Sequence, residues 1–330
     1  MLRGLVLSAL LTLGGYALSQ IPLLHQSGFS PLVFALLLGI VVGNIPGIRA
    51  IPSAQRGLQF CTRWLLRSGV VLFGLSLTIQ QILKLGPGVI ALDVGVITTV
   101  MVVGYFIGTR VLKLDKDVTL LTCAGSAICG AAAVLATEAA IRSRPAATSM
   151  AVATVVLFGT LAMLVYPLLY PLTGLDEHLF GIYIGATIHE VAQVVAAGDA
   201  VGPDALANAV IVKLVRVMLL VPFLLIVGQW WLGRHAPDAS MNKNKIIIPW
   251  FAFGFLAMVV FNSFVVLPEE LHSALVLAGQ ITLTMAMAAL GYETRLDKLK
   301  ALGLKPFVLA LTLFIMLMGG GLLTVHIWMT

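Results

Sequence analysis

The feature that most limits what this chain can fold into is a succession of apolar runs, unbroken by polar alternation, that follow one another from one end to the other. Lipid holds no water to satisfy backbone N–H and C=O groups, so only helices and closed barrels span it, and barrel strands would alternate over roughly ten residues. These runs do not alternate, so they predict helices. At about 20 mostly apolar residues per crossing, eleven segments emerge, at 4–20, 31–48, 62–81, 88–109, 118–141, 147–170, 177–198, 205–232, 246–266, 271–293 and 306–329. Gly or Pro marks most of the short connections, as at Pro31, Gly86-Pro87, Pro145, Pro203 and Pro306. No soluble domain fits between them. The fold expected is an all-α polytopic membrane protein, residues 1–330 forming one integral membrane domain.

Composition supports this. Only 10% of residues are charged and 60% are hydrophobic, against about 25% charged in soluble domains. The net charge of +6 could suggest nucleic acid, but the basic residues sit mainly in short loops, where they orient helices in a bilayer. With the N-terminus cytoplasmic, 14 Lys and Arg fall in inside loops and three outside, namely Lys84, Arg142 and Arg144. Thr330 is then external and the loop with Arg295, Lys298, Lys300 and Lys305 cytoplasmic. If segments 5 and 7 are instead re-entrant hairpins, Arg142 and Arg144 move inside and the later loops keep their sides. The stretch after Arg3 fits a retained first helix better than a signal peptide cut after Ser19, because every later segment is equally apolar. Trp64, Tyr105, Trp230, Trp250 and other aromatics near segment ends supply an interfacial belt. Cys61, Cys123 and Cys129 lie in or beside apolar runs and suggest no disulfide framework.

Three clusters could carry chemistry. In segment 5, Cys123-Ala-Gly-Ser-Ala-Ile-Cys-Gly130 puts Gly125, Ser126, Cys129 and Gly130 in mid-membrane. Such small residues permit an unwound helix whose freed amides suit an anion, or simply tight helix packing. In segment 7, His189 and Gln193 share a helix face with Glu190 adjacent, a plausible proton site or a structural hydrogen-bonded pair. Gln193 stands where a zinc-protease motif would need His, so no metal is expected. In segment 8, Lys213 and Arg216 lie three apart on one face, two cations that need an anionic substrate or an acidic partner, for which Glu190 is the nearest candidate. Asp93, a turn into segment 4, Glu138, Asn262 and Glu293 suit helix-end or packing roles. Gly74–Gly86 and Gly291–Gly303 share three identities on oppositely oriented segments, a hint of inverted repeats.

Taken together, Gly125-Ser-Ala-Ile-Cys-Gly130, the run Ile188-His-Glu-Val-Ala-Gln-Val-Val-Ala-Ala-Gly198, and Lys213-Leu-Val-Arg-Val217 with Pro222 resemble the bacterial sulfate exporter family of conserved inner-membrane proteins. The resemblance covers nearly the whole chain. It implies ten or eleven helices, discontinuous near the midplane, and a distant likeness to the sodium/proton antiporter and bile-acid symporter superfamily. It also implies export of sulfate or a related anion. The function expected is secondary, proton-coupled anion export. Gly125, Ser126, Cys129, Gly130, Gln193, Lys213 and Arg216 would bind substrate, and His189 and Glu190 would handle protons. No cofactor and no nucleic acid are called for, the lipid bilayer is the surrounding partner, and a homo-oligomer is left open. A channel, a sodium-coupled carrier, and an embedded enzyme using His189 with Cys129 or Ser126 are the alternatives. No Walker-type run supports an ATP-driven pump.

Overall fold

A computed structural model describes residues 1–21, 30–45, 53–235, 250–294 and 303–328. The described residues are helical throughout their regular structure and contain no strand. Six helices are long and apolar enough to cross a membrane, or seven if the bent pair 55–76 and 79–85 counts as one span. The all-α polytopic class is therefore found, while the described residues do not confirm a count of eleven crossings. The chain forms two compact units.

The first unit comprises residues 1–86, 199–202 and 250–296. Its helices are α1 (Leu2–Ser19), α2 (Pro31–Asn44), α3 (Gln55–Phe60), α4 (Leu66–Phe73) and α5 (Ile79–Leu85), with two late helices described below. Pro31 opens α2 at a position where its missing N–H costs nothing. The chain bends by 92° before α5, where Leu77 and Thr78 are extended and Thr78 with Gln81 forms a capping box. Asn262 donates to the Leu77 carbonyl at 3.0 Å, satisfying a group the bend has freed. That is the packing role its place in the sequence suggests.

The second unit comprises residues 87–198, 203–249 and 297–330. It begins with α6 (Gly88–Phe106), which runs on as a π-turn to Val111. Next come α7 (Lys116–Ala127) and α8 (Ala131–Ile141), then the long α9 (Pro145–Thr173). After these follow α10 (Glu177–Thr187), α11 (Val191–Val201), α12 (Pro203–Met218) and α13 (Leu220–His235). The first unit's late helices are α14 (Trp250–Phe264) and α15 (Glu269–Glu293). The second closes with α16 (Leu304–Ile315), a π-turn, and α17 (Gly321–Trp328).

Segments 5 and 7 do not cross. Arg144, just after α8, bonds Asp117 at 2.9 Å and Asp115 at 2.7 Å, at the start of α7. A straight helix would hold residues 117 and 144 about 40 Å apart, so α7 and α8 form a hairpin whose two ends share one foot. At that foot, outside the span, Arg144 holds the Asp117 carboxyl below its ordinary range. Segment 7 also folds back. A Cβ on Gly181 would lie 2.6 Å from the Ala205 carbonyl, and one on Gly198 3.4 Å from the same atom. So α10 and α11 form a second hairpin whose foot is at the start of α12.

The two feet lie at opposite ends of the 203–231 span. The second stands at Ala205, whereas the first packs by Ala140 against Gly228 and shares a cleft with Trp231. Arg142 and Arg144 are thus on the same side as Lys113 and Lys116. This is the re-entrant arrangement, and under the positive-inside rule it leaves Lys84 alone outside. Of the loop residues used for orientation, Arg49, Lys243, Lys245, Arg295, Lys298, Lys300 and Thr330 lie outside the described residues. We expect single cysteines at Lys113 and Ser143 to react with an impermeant thiol reagent from the same face of the membrane. Labelling from opposite faces would overturn the first hairpin.

Candidate functional site

The hairpin tips, Ile128–Gly130 and Ile188–Glu190, meet at α12. Each leading helix, α7 and α10, ends there with carbonyls that have no partner within their own helix and with the negative end of its dipole. Lys213 and Arg216 answer both. Lys213 Nζ donates to the carbonyls of Ile128 at 2.5 Å and Ile188 at 2.7 Å. Arg216 donates through Nε to Ala127 at 2.7 Å and through Nη2 to Ser126 at 3.1 Å. Its Nη1 reaches Ala186 and, at 3.4 Å, Gly185. Both side chains are fully buried. Among the described residues no carboxylate forms an ion pair with either. The acidic partner sought in Glu190 is replaced by backbone carbonyls, and the donors expected to face a ligand are directed onto the hairpins.

Glu190 lies across the other hairpin. Its Oε1 accepts from Ala131 N at 3.2 Å, the first amide of α8, so a carboxylate sits at the positive end of that half-helix. Gly130 makes room for it. Its φ of +68° favours glycine, and a Cβ there would run into the Glu190 side chain. The Glu190 amide donates to Gln193 Oε1 at 3.0 Å. Gln193 Nε2 and His189 Nδ1 are buried without a hydrogen-bond partner. Cys129 is buried at the first tip. Gly125 lies one turn back, where a Cβ would press on Val134 and Val155. Nearly all the residues singled out in the sequence thus converge on one junction.

An internal symmetry organises this junction. Shifting the chain by 60 residues superposes Gly125 on Gly185, Ile128 on Ile188, Ala132 on Ala192, Val134 on Val194 and Ala136 on Ala196. The second arms, Ala131–Ile141 and Val191–Val201, are then the same length and in register. The two carbonyls that Lys213 holds are equivalent under this shift. Because the feet face opposite ends of the unit, the repeat is inverted, as in many carriers. Position 130 against 190 breaks the symmetry, glycine in one hairpin and glutamate in the other. Asp93, on α6, joins the site's surroundings. It is fully buried and both carboxylate oxygens lack a hydrogen-bond partner, which sets it apart from an exposed helix-end residue, one of the two roles its sequence position suggested.

The chain matches the family described as conserved hypothetical protein 698 over residues 3–310. It is 45% identical over 329 residues to the UPF0324 inner membrane protein YeiH of Salmonella typhi, covering 98% of this chain and 93% of that protein. The Escherichia coli K12 protein of the same name is 45% identical over 322 residues, 96% and 91% of the two chains. A UPF0324 membrane protein of Bacteroides thetaiotaomicron is 41% identical over 327 residues, 97% and 96% of the two. No solved structure matches. With likeness along nearly its whole length, the chain belongs to this conserved family and is a multi-pass protein of the inner membrane.

Proposed function

We propose that the protein is a secondary active transporter that exports a small, sulfate-like anion and couples its movement to protons. The observation that carries this reading is the meeting of two inverted hairpins at two buried cations. Discontinuous helices near mid-span are how carriers build a site reachable from either side. The second arms, α8 and α11, start at the junction, so their first-turn amides and positive dipole ends face it. Glu190 supplies an anion to α8. The equivalent residue for α11 is Gly130, so that half-helix start has no carboxylate of its own, while Gln193 Nε2 and His189 Nδ1 remain unpartnered beside it. A tetrahedral oxyanion would take that place. Lys213 and Arg216 would supply the field, and Ser126, Cys129, Gly125 and Gly130 the opposite wall. The sulfate-like substrate and the kinship with sodium/proton antiporters belong to this proposal.

Glu190 would be the coupling carboxylate, with His189 as its neighbour. An incoming anion would compete with the Glu190 carboxylate, and protonation would release it from Ala131 N. In liposomes holding the purified protein, uptake of sulfate, sulfite, thiosulfate and phosphate under imposed pH or sodium gradients tests the proposal. We expect a pH gradient to drive one of these, and His189→Ala or Glu190→Gln to lower that drive by about tenfold, in the range of typical coupling energies. Wild-type pH dependence in both variants would make the pair structural. Flux without coupling would indicate a channel, and chemical conversion of the solute an enzyme.

A further inference from the structure

Asp93 is a buried acid with no part in the transport scheme proposed for the hairpin junction. It lies a turn into α6, fully buried, with no donor to either carboxylate oxygen. Gly104 faces Cys123 and Gly108 faces Thr119, so α6 runs antiparallel to α7. At about 1.5 Å per residue it passes the first hairpin's tip near residues 97 to 100, and Asp93 stands about a turn beyond. Helix α6 also packs directly on α12. The charged groups whose field is felt at Asp93 are Lys213 and Arg216. Their bonds go to hairpin carbonyls, so they offer Asp93 a field without a hydrogen bond. The other charged side chains on helices packed against α6 stand near helix ends: Lys116 and Asp117 on α7, Glu177 and His178 on α10, Asp204 on α12, and Lys305 on α16. Two further titratable groups lie within these helices, Cys123 on α7, which faces Gly104, and Tyr183 on α10, whose hydroxyl donates to the Met318 carbonyl.

Two cations and two carboxylates, Lys213, Arg216, Glu190 and Asp93, therefore balance at the junction. An anion entering this water-poor place would leave excess negative charge, which is costly where no solvent screens it. A monoanion is balanced if one carboxylate becomes neutral, and a dianion such as sulfate if both do. Glu190 stands where the anion would come and holds an amide, whereas Asp93 stands aside and holds nothing. We propose that Asp93 is a proton-binding group of the transport cycle, taking up a proton as the anion enters the hairpin junction. A proton suits it better than a metal cation. The neighbouring charges are both positive, and among the described residues no cluster of three acidic, His or Cys side chains forms.

This inference rests on the carrier reading, and the experiment separates the two. In proteoliposomes, exchange of labelled for unlabelled sulfate at equal pH needs binding and movement but no net proton transfer. Sulfate accumulation under a pH gradient needs both. Asp93→Asn is expected to keep exchange within about twofold of the unaltered protein and to lose gradient-driven accumulation by about tenfold, within the usual range of coupling. Accumulation and proton uptake equal to the unaltered protein's would overturn the proposal. So would drive by a sodium gradient at equal pH that Asp93→Asn abolishes, which would assign the group to sodium. No sulfate exchange by the unaltered protein would defeat the carrier reading for this anion, and this inference with it. Should Asp93→Asn not fold, Asp93→Glu decides: a proton role requires a displaced pH profile of accumulation, and an unshifted profile rejects it.

Discussion

Arg216→Gln is expected to destabilise the folded protein by on the order of 4 kcal/mol, since it strands several buried carbonyls at about 1–3 kcal/mol each. Against a total stability of about 5–15 kcal/mol, that would remove much of the folded population. The carbonyls at stake belong to Ser126 and Ala127 on one hairpin and to Gly185 and Ala186 on the other. A guanidinium fork serves all four from one position. Arg216→Lys should therefore fall between the wild type and Arg216→Gln, keeping the charge but serving fewer carbonyls. Thermal unfolding in detergent, with the yield of monodisperse protein, measures this order. If Arg216→Gln melts like the wild type and loses only oxyanion affinity, the arginine is chiefly a ligand and its carbonyl contacts are incidental.

Gly130→Ala should be the next most damaging small change. A non-glycine residue at φ +68°, ψ −136° costs about 1–3 kcal/mol, and the added methyl meets the Glu190 side chain, so roughly 2–4 kcal/mol is expected in all. The two causes separate by a double change. Glu190→Ala removes the collision and leaves the backbone cost, so Gly130→Ala with Glu190→Ala should be more stable than the sum of the single effects by about 1–2 kcal/mol. Simple additivity would mean that the tips do not press together as described. The same pair probes the broken symmetry, because it brings both hairpins to alanine at their equivalent positions.

Much of this junction is legible in the amino-acid sequence. Lipid imposes helices on long apolar runs, so the class and most segment positions follow from hydropathy alone. The run Gly125–Gly130 stands out because small residues in mid-membrane mark places where a helix can break. Lys213 and Arg216 stand out because two cations in a 28-residue apolar stretch from Ala205 to Leu232 cannot be left bare. Their spacing of three puts them on one face, and that is how they act.

Their partners cannot be read in the same way. Every residue carries a carbonyl, so nothing in the letters says that Ile128 and Ile188 turn theirs toward one lysine. The hairpins are hidden for a similar reason. A run of Ala, Val, Leu and Gly satisfies lipid equally whether it crosses or doubles back, and folded contacts distinguish the two: the bonds from Arg144 to Asp115 and Asp117 at the first hairpin, and the approach of Gly181 and Gly198 to Ala205 at the second. The 60-residue repeat is present in the sequence too. Its identities fall on Gly, Ala, Val and Ile, which coincide by chance in any apolar stretch, and it becomes visible through helix bounds and matching hydrogen bonds. Asp93 passes for a helix-end residue because burial is a property of neighbours. Apolar patterning thus determines which parts of the chain lie in the membrane and where they can break. Tertiary packing alone decides which backbone groups meet at those breaks, since partner choice there depends on the folded distances between segments far apart in sequence.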